Sequence, residues 1–252
     1  MTKNEIDLLK ANWDSLGKED PFWAVLSSSD KRGNKWESSE FFATGIHEIN
    51  SVMEYLDSFD FQINKNSALD FGCGVGRLTQ ALANHFSLVV GVDIAKSFIE
   101  LARQHNTKIE TCKFLLNEHN DLALFSDNEF DFIYSNIVLQ HMKPHIALQY
   151  IKEFLRVMKP DGVLVFQIAD SRKSMNGKIK QVIKTFIVEN ILKFYGRNLA
   201  DYPKPKIDMF GIRKSKIVKF VQLNAGNVVD IVRDKRAGAD WNSYRYCVKK
   251  VN

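Results

Sequence analysis

The stretch Ala68-Leu-Asp-Phe-Gly-Cys-Gly-Val-Gly-Arg-Leu-Thr79 decides the fold. It opens as an apolar strand ending on an acid, Asp70. It turns through Gly72, Gly74 and Gly76, then enters Arg77-Leu-Thr-Gln-Ala-Leu-Ala83, whose apolar residues recur at helical spacing. Strand, glycine turn and helix in that order form the first half of a nucleotide-binding βαβ unit. Glycines suit the turn because it is tight and a ligand must lie directly on its backbone, with no Cβ in between.

Outward from this stretch, strands and helices alternate to about Ala169. Leu88–Asp93 reads as a second strand, again ending on an acid, and Ala95–His105 as a helix. Cys112–Leu116 and Phe130–Ser135 read as the third and fourth strands. His145–Met158 reads as a helix stopped by the turn signal Lys159-Pro-Asp-Gly162, and Val163–Ala169 as the fifth strand. Short β-branched and aromatic runs of this kind suit strands covered on both faces of a parallel sheet, and right-handed crossovers then predict a doubly wound α/β fold. Before it, Glu5–Asn12 reads as a short helix. Ser38 or Ser39 offers a cap, and Ile46, Ile49, Val52, Met53 and Leu56 form the apolar face of a helix over 46–59. This flank either packs on the sheet or serves as a lid. Trp36, Phe41 and Phe42 either close over a ligand or fill a core. After strand five, Ile179–Tyr195 suggests a long basic amphipathic helix closed by Pro203 and Pro205. This insertion is a candidate for substrate recognition, with Tyr195, Arg197 and Tyr202 lining an acceptor pocket or lying on the surface. Lys214–Leu223 reads as a helix, and Asn227–Val232 and Tyr244–Lys249 as a final strand pair. One domain spans 1–252: a helical flank over 1–60, a core over 61–170, an insertion over 171–210 and a C-terminal part over 211–252.

The spacing at the turn argues against a dinucleotide. A G-x-G-x-x-G fingerprint would place its third glycine at 77, which is Arg77; the pattern here is G-x-G-x-G. Asp70, at the carboxyl end of its strand, would repel a pyrophosphate but suits a cationic amine. That combination points to S-adenosylmethionine, which carries an ammonium group and no phosphate. Asp93, about 20 residues beyond the glycines, sits where an acid accepts hydrogen bonds from ribose hydroxyls. As an alternative, Asp70 caps the turn and Asp93 caps the following helix.

The stretch Leu69-Asp70-x-Gly72-x-Gly74-x-Gly76 resembles motif I of the class I S-adenosylmethionine-dependent methyltransferases. Val92-Asp93-Ile94, Phe130–Ser135 and Leu155–Leu164, with its Lys159-Pro-Asp-Gly162, resemble three further motifs of that family, in order. The resemblance covers about residues 60–170. It implies a Rossmann-like, seven-stranded, mostly parallel sheet with an antiparallel last strand. It implies cofactor contacts from Asp70, Gly72, Gly74, Gly76, Arg77, Asp93 and Ile94, and from Ser135 and Asn136 after strand four. Many relatives carry Gly-Asp-Ala after strand three. This chain has Asn117-Glu118-His119 instead, and either Asn117 or Glu118 could approach the adenine.

Methyl transfer from a sulfonium needs alignment above all, and a base only where the acceptor must lose a proton. In the loop after strand four, His141 is the candidate catalytic base; contact with a ligand and structural packing are its other readings. His145 reads as an exposed first-turn residue. The expected activity is methylation of a small molecule at oxygen or nitrogen. The alternatives are a macromolecular acceptor held by the basic stretch from Lys173 to Lys193, or a non-catalytic S-adenosylmethionine-binding module. A net charge of +5 without a basic block does not imply nucleic-acid binding. Cys73, Cys112 and Cys247 have no paired or metal-type spacing and fit free thiols in a reducing, cytoplasmic setting. No metal site, signal peptide or membrane span is read, and the sequence says nothing of oligomeric state.

Overall fold

The computed structural model describes residues 3–173 and 207–251. The readings made for Ile179–Tyr195, Arg197, Tyr202 and the prolines at 203 and 205 lie outside these residues. Among them, seven strands form one sheet in the order β3-β2-β1-β4-β5-β7-β6. These are β1 (Ser67–Phe71), β2 (Leu88–Asp93), β3 (Cys112–Leu116), β4 (Phe130–Ser135), β5 (Met158–Arg172), β6 (Gly226–Asp234) and β7 (Trp241–Lys250). The first five run parallel, and β7 runs antiparallel to both its neighbours. This is the Rossmann-like sheet that the resemblance implies. The chain order reverses between β1 and β4, so the carboxyl ends of those strands flank a crevice open to a ligand.

Side-chain alternation divides the core into two layers. Leu69, Phe71, Ile133 and Phe166 face α6 (Pro144–Val157) and α7 (Lys214–Leu223) through Ile146, Tyr150, Phe154, Ile217 and Val221. Ala68, Val89, Phe132 and Val165 face α3 (Ser38–Asp57), α4 (Arg77–Leu82) and α5 (Lys96–Gln104) through Ile49, Val52, Leu82, Ile99 and Ala102. The strand beginning at residue 163 in the sequence reading starts at Met158 instead. Residues 159–162 form a kink within β5, with Asp161 left-handed (φ +61°) and the pairing to β4 shifted between Phe130 and Phe132.

The flank is more helical than its sequence suggests. α1 runs Lys3–Glu19, because Trp13 and Leu16 continue the apolar stripe of Ile6 and Leu9 beyond Asn12; the short α2 (Pro21–Val25) follows. Neither Ser38 nor Ser39 caps α3, whose N-cap is Glu37 without a side-chain bond. Ile46 is 44% exposed, outside the buried face. That face is Phe41, Gly45, Glu48, Ile49, Val52, Met53 and Leu56.

At the amino end of the sheet, the buried Asp131 Oδ2 accepts hydrogen bonds from Ser67 N (2.9 Å), Ser67 Oγ (2.8 Å) and Lys159 Nζ (2.9 Å). One carboxylate thus ties β1, β4 and the β5 kink together. Asp131→Ala leaves buried donors unpaired, and a loss of about 2–4 kcal/mol is expected. A lowered Tm with unchanged cofactor affinity checks this.

Candidate active site

The glycine turn lies at the crevice. Gly72, Gly74 and Gly76 have φ of +75°, +53° and +84°, which L side chains rarely adopt. The three differ in what they face. A Cβ on Gly72 would lie 2.3 Å from Val138 Cγ2, and one on Gly74 would lie 2.4 Å from Val25 Cγ2. A Cβ on Gly76 would lie 2.8 Å from the Phe114 ring. Gly72 and Gly74 line a cleft of about 810 Å³, mouth included, while Gly76 lets α4 pack on β3 and lies off the cleft.

The acids divide in the same way. Asp93 lines the cleft. Its Oδ2 accepts from Gly74 N and its Oδ1 from Ala95 N, both at 2.9 Å, so one carboxylate orders the turn and starts α5. Each oxygen keeps a lone pair for a ligand hydroxyl. Burial pushes its pKa up to about 6, against the backbone N–H groups that favour the ion. Asp70 lies beneath the turn, 1% exposed and away from the lining, and accepts a 2.6 Å bond from Thr79 Oγ1. Burial raises its pKa to about 7, although Thr79 and Arg77 oppose the shift. Ile94 lines the cleft. So does Asn117, whose Nδ2 donates to Asp121 O at 2.7 Å. Glu118 points outward and pairs with Lys10 of α1. Ser135 is buried beside the crevice, its Oγ donating to Phe71 O at 3.2 Å.

Arg77 and Asn136 line the cleft and meet on one acid of α3. Glu48 Oε2 takes Arg77 Nη2 at 3.0 Å, and its Oε1 takes Asn136 Nδ2 at 2.6 Å, Tyr134 Oη at 2.9 Å and Arg236 Nη1 at 3.1 Å. Gly45, one turn earlier, allows the approach, since a Cβ there would lie 2.4 Å from Arg77 O. Arg77 Nε and Asn136 Oδ1 are buried without a protein partner. Glu48 escapes sequence reasoning, although an acid within an apolar helical stripe is the signal that marks it.

Next along, Ile137 is left-handed (φ +60°), which is rare for a β-branched residue and is concentrated at functional sites. Its N–H donates to Gln167 Oε1 (3.2 Å). Gln167 Nε2 donates to Gln140 Oε1 (3.0 Å), and Gln140 Nε2 lies 3.3 Å from His141 Nε2. His141 Nδ1 meets Asp208 O at 2.8 Å. A carbonyl can only accept, so Nδ1 carries the proton and Nε2 presents its lone pair. Burial lowers the His141 pKa, favouring the neutral ring.

His141 does not line the first cleft. It lines a second one with Trp13, Asn12, Ile146, Asp208 and Phe210. The two clefts share Leu9 and Trp13, both from α1, and Trp13 packs edge-on against His141 with centroids 5.3 Å apart. The flank therefore roofs the first cleft, through α1 and through Ala24 and Val25 of α2. Trp36, Phe41 and Phe42 do not line it. They form the flank's own core, where Phe22 stacks on Phe41 at 4.4 Å. His145 is half exposed and meets Glu5 at 3.0 Å. Among the described residues no group of three or more His, Cys, Asp or Glu could hold a metal, and no helix is long and apolar enough to cross a membrane.

A doubly wound sheet with a left-handed glycine turn, an acid ending β2 and unpaired polar atoms beside it defines a nucleoside-binding enzyme site. The fold is that of the class I S-adenosylmethionine-dependent methyltransferases. A methyltransferase-domain family model matches residues 69–166. The ubiquinone biosynthesis O-methyltransferase of Hydrogenovibrio crunogenus is 27% identical over 184 residues, 71% of this chain and 72% of that protein. That of Pasteurella multocida is 26% identical over 192 residues, 71% and 76% of the two chains. Among solved structures, the magnesium protoporphyrin IX methyltransferase of Synechocystis with bound S-adenosylhomocysteine superposes with a TM-score of 0.62. It is 17% identical, with 98% of this chain and 99% of that one covered. A phosphoethanolamine N-methyltransferase of Haemonchus contortus gives 0.67 at 17% identity, covering all of this chain and 50% of that one. At this identity the solved structures speak for the fold alone, and the acceptors they name differ widely.

Proposed function

We propose that this enzyme transfers a methyl group from S-adenosylmethionine to a hydroxyl of a small-molecule acceptor. The observation carrying this reading is the pair of neighbouring clefts that share Leu9 and Trp13 in their linings, one at the glycine turn and the other lined by His141. The names of the two O-methyltransferase relatives support oxygen over nitrogen. In the first cleft, Gly72 and Gly74 offer bare backbone, Asp93 accepts from the ribose and Ile94 packs against the base. Asn117 stands at the adenine edge. Arg77 Nε donates to the carboxylate of the amino-acid end and Asn136 Oδ1 accepts from its ammonium. Asp70, Gly76, Ser135 and Glu118 act from outside the lining: the first three shape the turn and the crevice, and Glu118 anchors α1.

When bound, S-adenosylmethionine supplies an electrophilic methyl on a sulfonium. His141 does the rest of the proton work. Its Nδ1–H is fixed by Asp208 O, and its Nε2 takes the acceptor hydroxyl proton once the 3.3 Å contact with the Gln140 amide gives way. The C–O bond forms as the C–S bond breaks. Trp13, Leu9 and Phe210 shield the path from water.

The test is formation of S-adenosylhomocysteine with a panel of hydroxylated aromatics, primary amines, RNA and protein, using wild type and His141→Gln. Turnover confined to hydroxyl acceptors is expected, with a rate limb on the acid side of the ordinary histidine value, because burial lowers the His141 pKa, and His141→Gln should remove that limb. General-base losses are typically about 10²–10⁴-fold. Turnover of amines, RNA or protein alone would overturn the acceptor assignment, and an unchanged pH profile in His141→Gln would overturn the base.

A further inference from the structure

We infer that Glu48 is a positioning residue that sets the enzyme's preference for the amino-acid end of its cofactor; this rests on the cofactor reading above. Glu48 lies on α3, outside the residues matched by the family model. It is nonetheless the one acid that joins Arg77 after the glycine turn, Tyr134 and Asn136 at the end of β4, and Arg236 between β6 and β7. Four residues from three separate parts of the chain converge on a single buried carboxylate.

The consequence lies in what Glu48 leaves over. Arg77 has its Nη2 on Glu48 and its Nη1 3.3 Å from Thr44 Oγ1, so Nε–H is the donor without a partner. Asn136 gives its Nδ2 to Glu48. That contact fixes the amide orientation, because a carboxylate only accepts, and leaves Oδ1 as an acceptor without a partner. Arg77 is 3% exposed and Asn136 7%, and both line the cleft. A spare donor and a spare acceptor on two residues lining the same cleft, both desolvated, match a group that carries an anion and an ammonium together. An α-amino acid moiety is such a group. Unmet buried polar atoms are costly, so a ligand that satisfies both gains what one lacking that end cannot.

Charge alone does not give this selectivity. Removing the Glu48 charge would strengthen attraction for the ligand's carboxylate and weaken it for the ammonium of the same zwitterion. What remains is geometry: without Glu48 the guanidinium and the amide lose the partner that aims them. Arg236 adds the fourth anchor. It also reaches Tyr134 Oη at 3.2 Å and lies 4.0 Å from Asp234, so the β6–β7 connection helps to hold the clamp closed.

The experiment compares two ligands by calorimetry. S-adenosylhomocysteine carries the amino-acid end, and 5′-methylthioadenosine lacks it. Wild type is expected to bind the first more tightly. In Glu48→Gln, affinity for S-adenosylhomocysteine should fall by about tenfold or more while that for 5′-methylthioadenosine stays within about twofold. Arg236→Gln, which leaves Glu48 in place, should move the ratio in the same direction by less. The retained 5′-methylthioadenosine affinity shows that each variant is folded around its nucleoside site. Equal losses for both ligands, or an unchanged ratio in both variants, would overturn the role given to Glu48. A wild type that binds neither ligand would instead overturn the cofactor reading itself.

Discussion

Asp93→Ala is expected to weaken cofactor binding by about 100-fold or more, since hydrogen bonds to a charged acceptor contribute about 1.5–3 kcal/mol each and a ribose offers two. Two further losses add to this. Gly74 N and Ala95 N each lose their 2.9 Å acceptor, so the turn loosens and the residue that precedes α5 loses its tether. A Tm lowered by the equivalent of about 1 kcal/mol should accompany the binding defect. Asp93→Asn should rescue little, because its amide would point a donor at one of these two N–H groups. Titration with S-adenosylhomocysteine decides the matter, and wild-type affinity in Asp93→Ala would refute the ribose assignment.

The pH dependence follows with a definite sign. Asp93 has a pKa near 6 and Asp70 one near 7, both raised by burial. Ligand hydroxyls and positive charge favour the ionised carboxylates. Binding should therefore tighten as pH rises from about 5 to 7 and release protons, which calorimetry in buffers of different ionisation enthalpy measures directly. The ligand-free fold behaves in the opposite sense. A carboxylate whose pKa is raised on folding stabilises the fold fully below its unfolded value near 4, and that contribution is lost as pH climbs through its folded value. Stability from these two acids should decline over the window in which affinity grows.

Gly72→Ala should abolish measurable binding, a loss beyond about 100-fold, or more than about 2.7 kcal/mol. The new methyl would lie 2.3 Å from Val138 Cγ2 and 2.6 Å from Cγ1. Val138 is β-branched and stiff at χ1, so the loop after β4 would have to move. The left-handed backbone adds about 1–2 kcal/mol of strain for any L residue. Gly33→Ala is the matched control. Gly33 also has a positive φ (+88°), but nothing lies within 4 Å of its added Cβ. That variant should lose stability alone and keep its affinity for S-adenosylhomocysteine.

These predictions rest on features of unequal visibility in the sequence. The bounds of β2, β3, β4 and α7 are legible to the residue, because each is a short apolar or amphipathic run with turn chemistry on both sides. Gly72, Gly74 and Asp93 are legible because motif and chemistry coincide at one place in the chain. The roles within the motif are less so: Asp70 and Gly76 have the right spacing yet face inward, toward Thr79 and Phe114. Glu48 and Trp13 lie outside any motif, and their neighbours come from distant parts of the chain. His141 was visible as a histidine in the right loop, but the carbonyl that sets its tautomer lies 67 positions away at Asp208. Choosing between Asn117 and Glu118 needed the position of α1, because Lys10 is what draws Glu118 outward. Local patterns report elements well, and convergence of elements hardly at all.

The wall shared by the two clefts has a thermodynamic meaning. Leu9 and Trp13 sit one turn apart on the same helix, and each faces both chambers. Under the proposed reading, a guest in either chamber packs against the same two side chains, so each binding event bears on the wall of the other chamber. Coupling of this kind is reciprocal: any gain that cofactor occupancy gives the acceptor, the acceptor returns in equal measure. Under the proposed reaction this coupling through Leu9 and Trp13 adds to the direct contact that the reacting methyl and hydroxyl make.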